Sequence, residues 1–463
     1  PTVANISRPS DEYIAQYRDN AVEATDDNSQ YNNNPNSPGY FWWNSESDNG
    51  IVTNEFYVIN YKITGEYSKS LKHLSSAGIK RTGKWTVDAY GNHVPEQTLV
   101  PRTVYVSGKW ILNENQTAGN GAIADGPDAI IIVADGGEIE INARLDMSNL
   151  ARLIVMPGGK ITGTGTISVN NGNAVGNENY NGGTIDVGTF NNNFGKFYNY
   201  GTFKANEYQA GGKESNFYNH GVVNIDHSGI WNSDYYTDKK APNARIFNAC
   251  QWYCAKDMTA RNIEMTSGSY MYVGRELMVG GSEDGTSDPS YVALASGALI
   301  RAGWLDNNGT TWQGPADGYA VLELGKVKYL NWGGDGPLTN GYFAGNIAVS
   351  IDNKDNNCMG KSMENAYKVF SQYVANGIGT NGNTTEVGNG GVVMVEKGSA
   401  NVSVSASAGF EAGVKGCTPG YNGDPDEKEE TNAVWSYAFE DTPLGDYDMN
   451  DVVIKVSENN DDA

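Results

Sequence analysis

The sequence predicts an all-β protein whose short strands stack in parallel, and three observations carry that prediction. Glycine occurs 57 times among the 463 residues, and charged residues make up only 19%. Because glycine tolerates the left-handed backbone of tight turns, this composition favours many short strands with frequent corners. Similar segments recur at spacings of about 20 to 28 residues, and no helix-length pattern separates the copies.

The clearest copies lie in the middle of the chain. KFYNYGTF at 196–203 recurs as NFYNHGVV at 216–223, and a looser copy, RIFNACQW, follows at 245–252. Upstream, IIVADGGEIEI at 131–141 matches LIVMPGGKITG at 153–163. Downstream, three glycines spaced 23 and 28 residues apart mark further copies: Gly274, Gly297 and Gly325.

A unit of this length cannot bury its own apolar face, but it can do so when it stacks on copies of itself. Successive copies would then pair in parallel, with strands about 4.8 Å apart. The segment 126–352 therefore resembles the parallel β-helix family, and we expect a right-handed helix of about ten coils there. A β-sandwich is the alternative, although its hairpins would recur every 8–12 residues or so.

The copies also predict which side chains lie inside the stack. Side chains alternate between the two faces of a strand, so one aromatic residue of each copy points inward and the next points outward. An inward ladder is expected from Phe197, Phe217 and Ile246. Side-chain amides hydrogen-bonded along the axis at one corner are expected from Asn199, Asn219 and Asn248.

The flanking segments lack this period. Residues 1–125 are predicted to form an N-terminal cap and β region that covers the open first coil, and 10–24 within them is compatible with a short helix. Residues 353–432 are predicted to be a β segment ending in an acidic linker. Residues 433–463 are predicted to form a small C-terminal β segment.

Charge and hydropathy exclude some classes of partner. The formal net charge of −23 repels phosphate backbones and anionic lipid, so we expect no nucleic-acid partner. The longest apolar run, AIIIVA at 129–134, is far shorter than the roughly 20 residues that span a bilayer. Because the chain begins at Pro1 without methionine, a removed export signal is expected.

The four cysteines form an even set without a CxxC pair, which argues against a zinc-finger site. They are Cys250, Cys254, Cys358 and Cys417. Two disulfides are expected, and the favoured pairing joins 250 to 254 and 358 to 417. The first bridge requires a turn, because an extended strand would separate its Cα atoms by about 13 Å. Buried thiols are the alternative.

An enzyme is one functional hypothesis, since a polysaccharide lyase needs a strong base beside carboxylates. Arg275, Arg301 and Lys326 fall about one coil apart and would form a basic ladder, with Glu276 and Glu323 nearby. Solubilising side chains on the outer wall are the alternative for these residues. The sequence shows no convergent nucleophile, base or zinc motif, so we favour a protein that is not an enzyme.

Aromatic residues favour binding instead, because Tyr occurs 28 times and Trp 10 times. Outward-facing aromatic side chains near the corners would offer stacking faces to sugar rings. The candidates are Tyr198, Tyr218, Trp231, Trp304, Trp312 and Trp332. Packing in the core is the alternative for each of them.

The chain closes with FEDTPLGDYDMNDVVIKV at 439–456, which crowds carboxylates before an apolar strand. Asp446, Asp448 and Asn450 match positions 1, 3 and 5 of an EF-hand loop. The match then fails, because Asp451 replaces the glycine of position 6 and Ser457 replaces the glutamate of position 12. The motif is therefore either another oxygen-rich cation site or a turn whose side chains bind their own backbone.

This closing motif resembles the start of the LruC-type domain of surface lipoproteins from Gram-negative gut bacteria. The matching segments are FED at 439–441 and GDYDMND at 445–451, and CTPGY at 417–421 is similar to that group. The resemblance implies an exported protein and a divalent-cation turn. The expected calcium ligands are Glu440, Asp441, Asp446, Asp448, Asn450 and Asp451. Such domains continue beyond the motif, so we expect only their start before Ala463.

Together these features predict an exported protein of the cell surface or outer membrane. Its only attachment to the membrane would be an N-terminal lipid anchor that has been removed from the sequence beginning at Pro1. The expected function is that of a non-catalytic adhesin or glycan-binding protein, with a polysaccharide, a host glycan or a surface protein as its partner. A calcium-dependent polysaccharide lyase or glycoside hydrolase on the same scaffold is the alternative.

Overall fold

The computed structural model describes most of the N-terminal three quarters of the chain and two short C-terminal strands. The described residues are 3–30, 60–121, 123, 126–148, 151–170, 178–210, 215–228, 245–280, 290–308, 310–327, 342–352, 386–387, 391–394, 434–439 and 452–457.

Short helices lie only near the start of the described chain. Helix α1 spans Asp11–Asp19, and Ser10 caps it by accepting a hydrogen bond from the Tyr13 backbone N–H at 3.1 Å. Helix α2 spans Asp26–Ser29, and a 3₁₀ turn spans Lys72–Ser75. The helix predicted within 10–24 is therefore present but ends at Asp19. None of the helices in the described ranges is long and apolar enough to cross a membrane.

Strands dominate the rest of the described chain. In the first half they are β1 (Val22–Glu23), β2 (Tyr61–Ile63), β3 (Glu66–Tyr67), β4 (Gly78–Val87), β5 (His93–Val100), β6 (Arg102–Val106), β7 (Lys109–Leu112), β8 (Gln116–Thr117), β9 (Ala129–Val133), β10 (Glu138–Ile141), β11 (Arg144–Ser148), β12 (Ala151–Val155), β13 (Lys160–Thr162), β14 (Thr166–Asn170), β15 (Asn179–Asn181), β16 (Thr184–Asn199), β17 (Thr202–Ala210) and β18 (Ser215–Asn219).

In the second half they are β19 (Val222–Ser228), β20 (Arg245–Asn248), β21 (Gln251–Cys254), β22 (Met258–Ala260), β23 (Asn262–Met265), β24 (Tyr270–Gly280), β25 (Tyr291–Leu294), β26 (Leu299–Asn308), β27 (Thr311–Gln313), β28 (Ala320–Val327), β29 (Tyr342–Ala344), β30 (Ile347–Ile351), β31 (Glu386–Val387), β32 (Val393–Met394), β33 (Val434–Phe439) and β34 (Val452–Ser457).

Thirty of these strands form one large sheet, and all of its pairings are parallel. Ladder one runs β1–β2–β6–β9–β12–β15–β16–β18–β20–β23–β25–β27–β29–β31. Ladder two runs β3–β7–β10–β13–β16–β17–β19–β21–β24–β26–β28–β30–β32. Ladder three runs β8–β11–β14–β16–β17–β19–β22–β24–β26.

Each strand therefore pairs with the strand one turn further along the chain, and the long strand β16 contributes to all three ladders. Two antiparallel pairs stand apart from this sheet, β4 with β5 and β33 with β34. The protein is all-β with one extensive parallel sheet, an arrangement consistent with a parallel β-helix. The parallel pairing also crosses the predicted boundary at residue 125, because β6 pairs with β9 along its whole length.

The apolar core runs the length of the sheet between the ladders. Strand β10 shows why: Ile139 and Ile141 are fully buried, while the alternating Glu138 and Glu140 face outward. The predicted inward ladder is confirmed. Phe197 lies in register with Phe217, which lies in register with Ile246, and the two phenylalanine ring centroids are 5.2 Å apart.

The predicted asparagine ladder is also confirmed. Asn199 donates from Nδ2 to Oδ1 of Asn219 at 2.8 Å, and Asn219 donates in the same way to Asn248 at 2.8 Å. Asn181 extends the ladder by one step, since its Nδ2 lies 2.7 Å from Oδ1 of Asn199. All four side chains are fully buried, so their amides satisfy one another where water is excluded.

The favoured disulfide pairing is wrong at its first bridge. Cys250 is disulfide-bonded, whereas Cys254 carries a buried thiol. The physical reason is that residues 251–254 form the extended strand β21 instead of a turn, which holds the two Cα atoms too far apart. The thiol of Cys254 donates instead to the backbone oxygen of Asp257 at 3.3 Å. Cys358 and Cys417 lie outside the described residues.

Candidate functional site

The outer face of ladder one carries an unusual column of apolar and aromatic side chains. Seven residues on successive strands lie in register there, and we call them the outer column: Tyr105, Ile132, Ile154, Tyr180, Tyr198, Tyr218 and Phe247. The alternation predicted for Tyr198 and Tyr218 is therefore correct, since both side chains point away from the inner core that holds Phe197 and Phe217.

The aromatic members of the outer column stack on one another. The ring centroids of Tyr198 and Tyr218 are 4.4 Å apart, and those of Tyr218 and Phe247 are 4.6 Å apart, each with 12° between the planes. Both faces of the Tyr218 ring are consequently covered by its neighbours. A sugar ring needs a free aromatic face to stack on, so this column presents ring edges and phenol oxygens to a ligand instead.

The N-terminal segment 3–19, which we call the strap, covers the outer column from Tyr105 to Tyr198. Ile14 of α1 and the partly buried Ile6, Tyr13 and Tyr17 pack against it. Beneath this cover only 6% of Tyr198 is exposed, and burial is the main reason that its pKa lies well above the usual value.

Two aromatic side chains hold the strap at its N-terminal end. Tyr200 accepts a hydrogen bond from the Ile6 backbone N–H at 2.7 Å and donates to the Ile6 carbonyl at 2.9 Å. His220 stacks on Tyr200 and lies 2.7 Å from the Ala4 carbonyl through Nε2. Burial lowers the pKa of His220, which favours a neutral imidazole donating to that carbonyl.

Beyond the strap, partly exposed side chains gather on strands β18, β20, β23 and β25. They are Tyr218, Arg245, Phe247, Glu264 and Tyr291, and we call them the Tyr218 patch. Glu264 lies in register with Phe247, and Tyr291 donates a hydrogen bond from its hydroxyl to the Glu264 carboxylate. Partial burial and this carboxylate both raise the pKa of Tyr291, while Arg245 opposes them.

The tryptophans predicted to bind glycans are placed differently from one another. Trp312 is fully buried and stacks on Phe343 in the inner core, with centroids 5.2 Å apart, so its expected outward orientation is wrong. The reason is strand alternation, because Trp312 lies in register with the inward-facing Val292. Trp304 is partly exposed. Trp231 and Trp332 lie outside the described residues.

The basic side chains considered for a lyase do not form a ladder. Arg301 lies in register with Tyr272 and Glu323, whereas Lys326 lies in register with Trp304 and, one strand further, Glu276. Arg301 forms an ion pair with Glu323 and lies over the Tyr270 ring, 5.7 Å from its centroid.

Arg275 stands apart from that pair. Its guanidinium binds both carboxylate oxygens of Asp257, at 3.1 and 2.8 Å. In this arrangement each of the two arginines is engaged by one carboxylate on a neighbouring turn, which is the geometry of a stabilising ion pair.

The expected calcium ligands, Glu440, Asp441, Asp446, Asp448, Asn450 and Asp451, lie outside the described residues. What the structure describes is the antiparallel pair that brackets them, with Phe439 opposite Val452. Within the described ranges, no three His, Cys, Asp or Glu side chains are grouped so that they could hold a metal ion.

Four members of the Tyr218 patch were not singled out from the sequence. A signal existed for Phe247, because RIFN at 245–248 aligns with NFYN at 216–219 and places Phe247 above Tyr218. Glu264 and Tyr291 gave no such signal, since the spacing between paired residues changes from 17 for Phe247 and Glu264 to 29 for Asn262 and Tyr291.

Comparisons with protein-family models, curated proteins and solved structures found no match for this chain.

Proposed function

We propose that this protein is a non-catalytic, exported binding protein of the cell surface, in which a right-handed parallel β-helix of about ten coils serves as a rigid stalk. Its glycan-binding site is the Tyr218 patch. The supporting observation is that ring edges of Tyr218 and Phe247 lie beside Arg245, Glu264 and Tyr291 on one partly exposed face.

The chemistry of this patch suits a carbohydrate better than a purely apolar or purely charged ligand. Sugar hydroxyls both donate and accept hydrogen bonds, so they pair with the carboxylate of Glu264 and the guanidinium of Arg245. The partly exposed rims of Tyr218 and Phe247 add apolar contact area beside these polar groups, without stacking. Because the protein carries a formal charge of −23, a neutral polysaccharide is favoured over a polyanionic one.

A glycan array followed by affinity measurements tests this proposal. The wild type should bind a neutral glycan, and Phe247→Ala and Glu264→Gln should each weaken binding at least ten-fold, or by about 1.4 kcal/mol. Tyr253→Ala is the matched control, since Tyr253 also belongs to an outer aromatic stack, with Tyr272 at 4.8 Å on ladder two.

Two results would contradict the proposal. One is glycan binding that all three variants retain. The other is the appearance of unsaturated uronate absorbance with wild-type protein that is lost in Arg301→Ala, which would establish a lyase.

We further propose that residues 440–451 bind calcium, on the strength of the LruC-type motif that lies between β33 and β34. Titration calorimetry should show calcium binding to the wild type and none to Asp448→Ala, because a hard cation needs six to eight oxygen ligands. Asp461→Ala, outside the motif, should bind as the wild type does. If the wild type binds no calcium and melts at the same temperature with and without it, the carboxylates form only a polar turn.

A further inference from the structure

The strap occupies an apolar face that would otherwise be open to water. Beneath it lie side chains from strands β6, β9, β12, β15 and β16: Tyr105, Ile130, Ile132, Ile154, Tyr180 and Tyr198. An exposed apolar surface of this kind marks an interaction site in soluble proteins. In this chain the strap is the resident ligand of that surface.

The contacts of the strap are those of a bound peptide. Ile14 is 6% exposed and fills the apolar face, while the Ile6 backbone makes two hydrogen bonds to the Tyr200 hydroxyl. Arg152 on β12 lies 3.3 Å from the Tyr13 hydroxyl and 5.9 Å from the centre of its ring. Apolar anchors fixed by a few placed polar contacts are the usual features of peptide recognition.

Strand β1, which pairs with β2 of the large sheet, begins three residues after the strap ends, so the strap can leave its own sheet only together with β1 and α2. Residues 3–30 carry the strap, β1 and α2, and 29 residues, 31–59, separate them from the first described residue of the following segment, Asn60. Twenty-nine residues span at most about 100 Å, a length sufficient to reach a neighbouring molecule. An element that binds its own chain through such a connection can make identical contacts on a second copy.

We propose that the outer face of ladder one is a peptide-binding groove, and that a second copy of this chain can seat its own strap there, with its β1 pairing on β2, so that residues 3–30 exchange as one segment. The strap makes the same contacts on its own chain as on a second copy, so the balance between these two bound states depends on the protein concentration. The effective concentration of a tethered segment is in the millimolar range, so exchange is expected where copies are crowded to about that level.

A labelled peptide of residues 3–20 tests the groove directly, with fluorescence anisotropy as the readout. The acceptor is the full-length Ile14→Asp variant, whose own strap is weakened by a charge on the apolar face. It should bind the peptide at least ten-fold more tightly than the wild type does, because the wild-type groove is filled. A peptide carrying Ile14→Asp should bind neither protein.

The hydrogen bonds of Tyr200 provide a conservative second variant. Adding Tyr200→Phe to the Ile14→Asp acceptor keeps the ring but removes both bonds to Ile6, and should weaken peptide binding at least five-fold. Tyr272→Phe, on ladder two, is the control and should leave it unchanged. Circular dichroism establishes that each acceptor keeps its β structure.

Two results would overturn the proposal. The first is no saturable peptide binding to a folded Ile14→Asp acceptor. The second concerns self-association: wild type concentrated to about 1 mM should form dimers on a sizing column that Ile14→Asp does not form. Equal dimerisation of both proteins, or none by the wild type, would show that the strap does not exchange. Glycan binding takes no part in either assay.

Discussion

Replacing Phe217 by alanine should lower the free energy of unfolding by about 3–5 kcal/mol. The side chain is fully buried, and four rings surround it with centroids 5.0 to 5.4 Å away: Phe197, Phe203, Tyr208 and Trp252. Because these rings belong to strands on different ladders, none can move into the cavity without disturbing its own strand. The lost contacts therefore remain lost.

Chemical denaturation followed by circular dichroism measures this effect. Tyr218→Ala is the matched control, since it removes the next aromatic residue along the same strand from the partly exposed outer face. It should cost clearly less than Phe217→Ala. A loss below about 1 kcal/mol for Phe217→Ala would contradict a close-packed interior at this level.

Replacing Asn219 by leucine should destabilise the protein by about 2–5 kcal/mol, although the two side chains are similar in size. The Asn219 amide oxygen accepts from Asn199 Nδ2 at 2.8 Å and from the Gly221 backbone N–H at 3.1 Å. Its nitrogen donates to Asn248 and to the Gln251 carbonyl. Leucine would leave several of these buried groups without a partner, and each such group costs about 1–3 kcal/mol.

The same denaturation assay checks this prediction, with Asn224→Leu as the control on the partly exposed outer face of β19. Asn219→Asp adds a pH test. Burial would raise the pKa of the new carboxyl group in the folded protein above its unfolded value. The variant should therefore lose stability as pH rises through the raised, folded-state pKa. A stability of Asn219→Leu equal to that of the control would show that the asparagine ladder contributes little.

The inward ladder and the asparagine ladder could be predicted because their residues recur at equal positions within each copy. Phe197, Phe217 and the two asparagines that follow them fall at the same offset in KFYNYGTF and NFYNHGVV, so alignment of the strings gives the register. The glycine alignment downstream failed. Gly325 lies above Gly303, where an added Cβ would meet the Gly303 oxygen at 2.5 Å, whereas Gly297 occupies a turn with φ of +79°.

Participation of the N-terminal region in the parallel sheet could not be predicted from spacing. Tyr61 of β2 pairs with Val104 of β6, 43 residues away, because the β4–β5 hairpin lies between them. An inserted hairpin adds chain length without adding a turn of the sheet. The period is therefore hidden even though the pairing is regular.

The accessibility of the outer column was beyond sequence reasoning for a different reason. Strand alternation gave the outward direction of Tyr198 correctly, but its cover comes from residues about 190 positions away, as the contact between Ile6 and Tyr200 shows. Local patterns report which face a side chain occupies. They do not report which distant segment of the chain lies on that face.

The unequal spacing of paired residues has a consequence for chain entropy. Phe197 and Phe217 are 20 residues apart, whereas Phe217 and Ile246 are 29 apart, yet both pairs lie in register on ladder one. Lengthening a closed loop from 20 to 29 residues costs only about 0.3 kcal/mol, because closure entropy grows with the logarithm of length. A corner can therefore accept extra residues at almost no thermodynamic cost while the paired strands keep their positions. New sequence can be acquired at such corners, one turn at a time, without rebuilding the interior that holds the turns together.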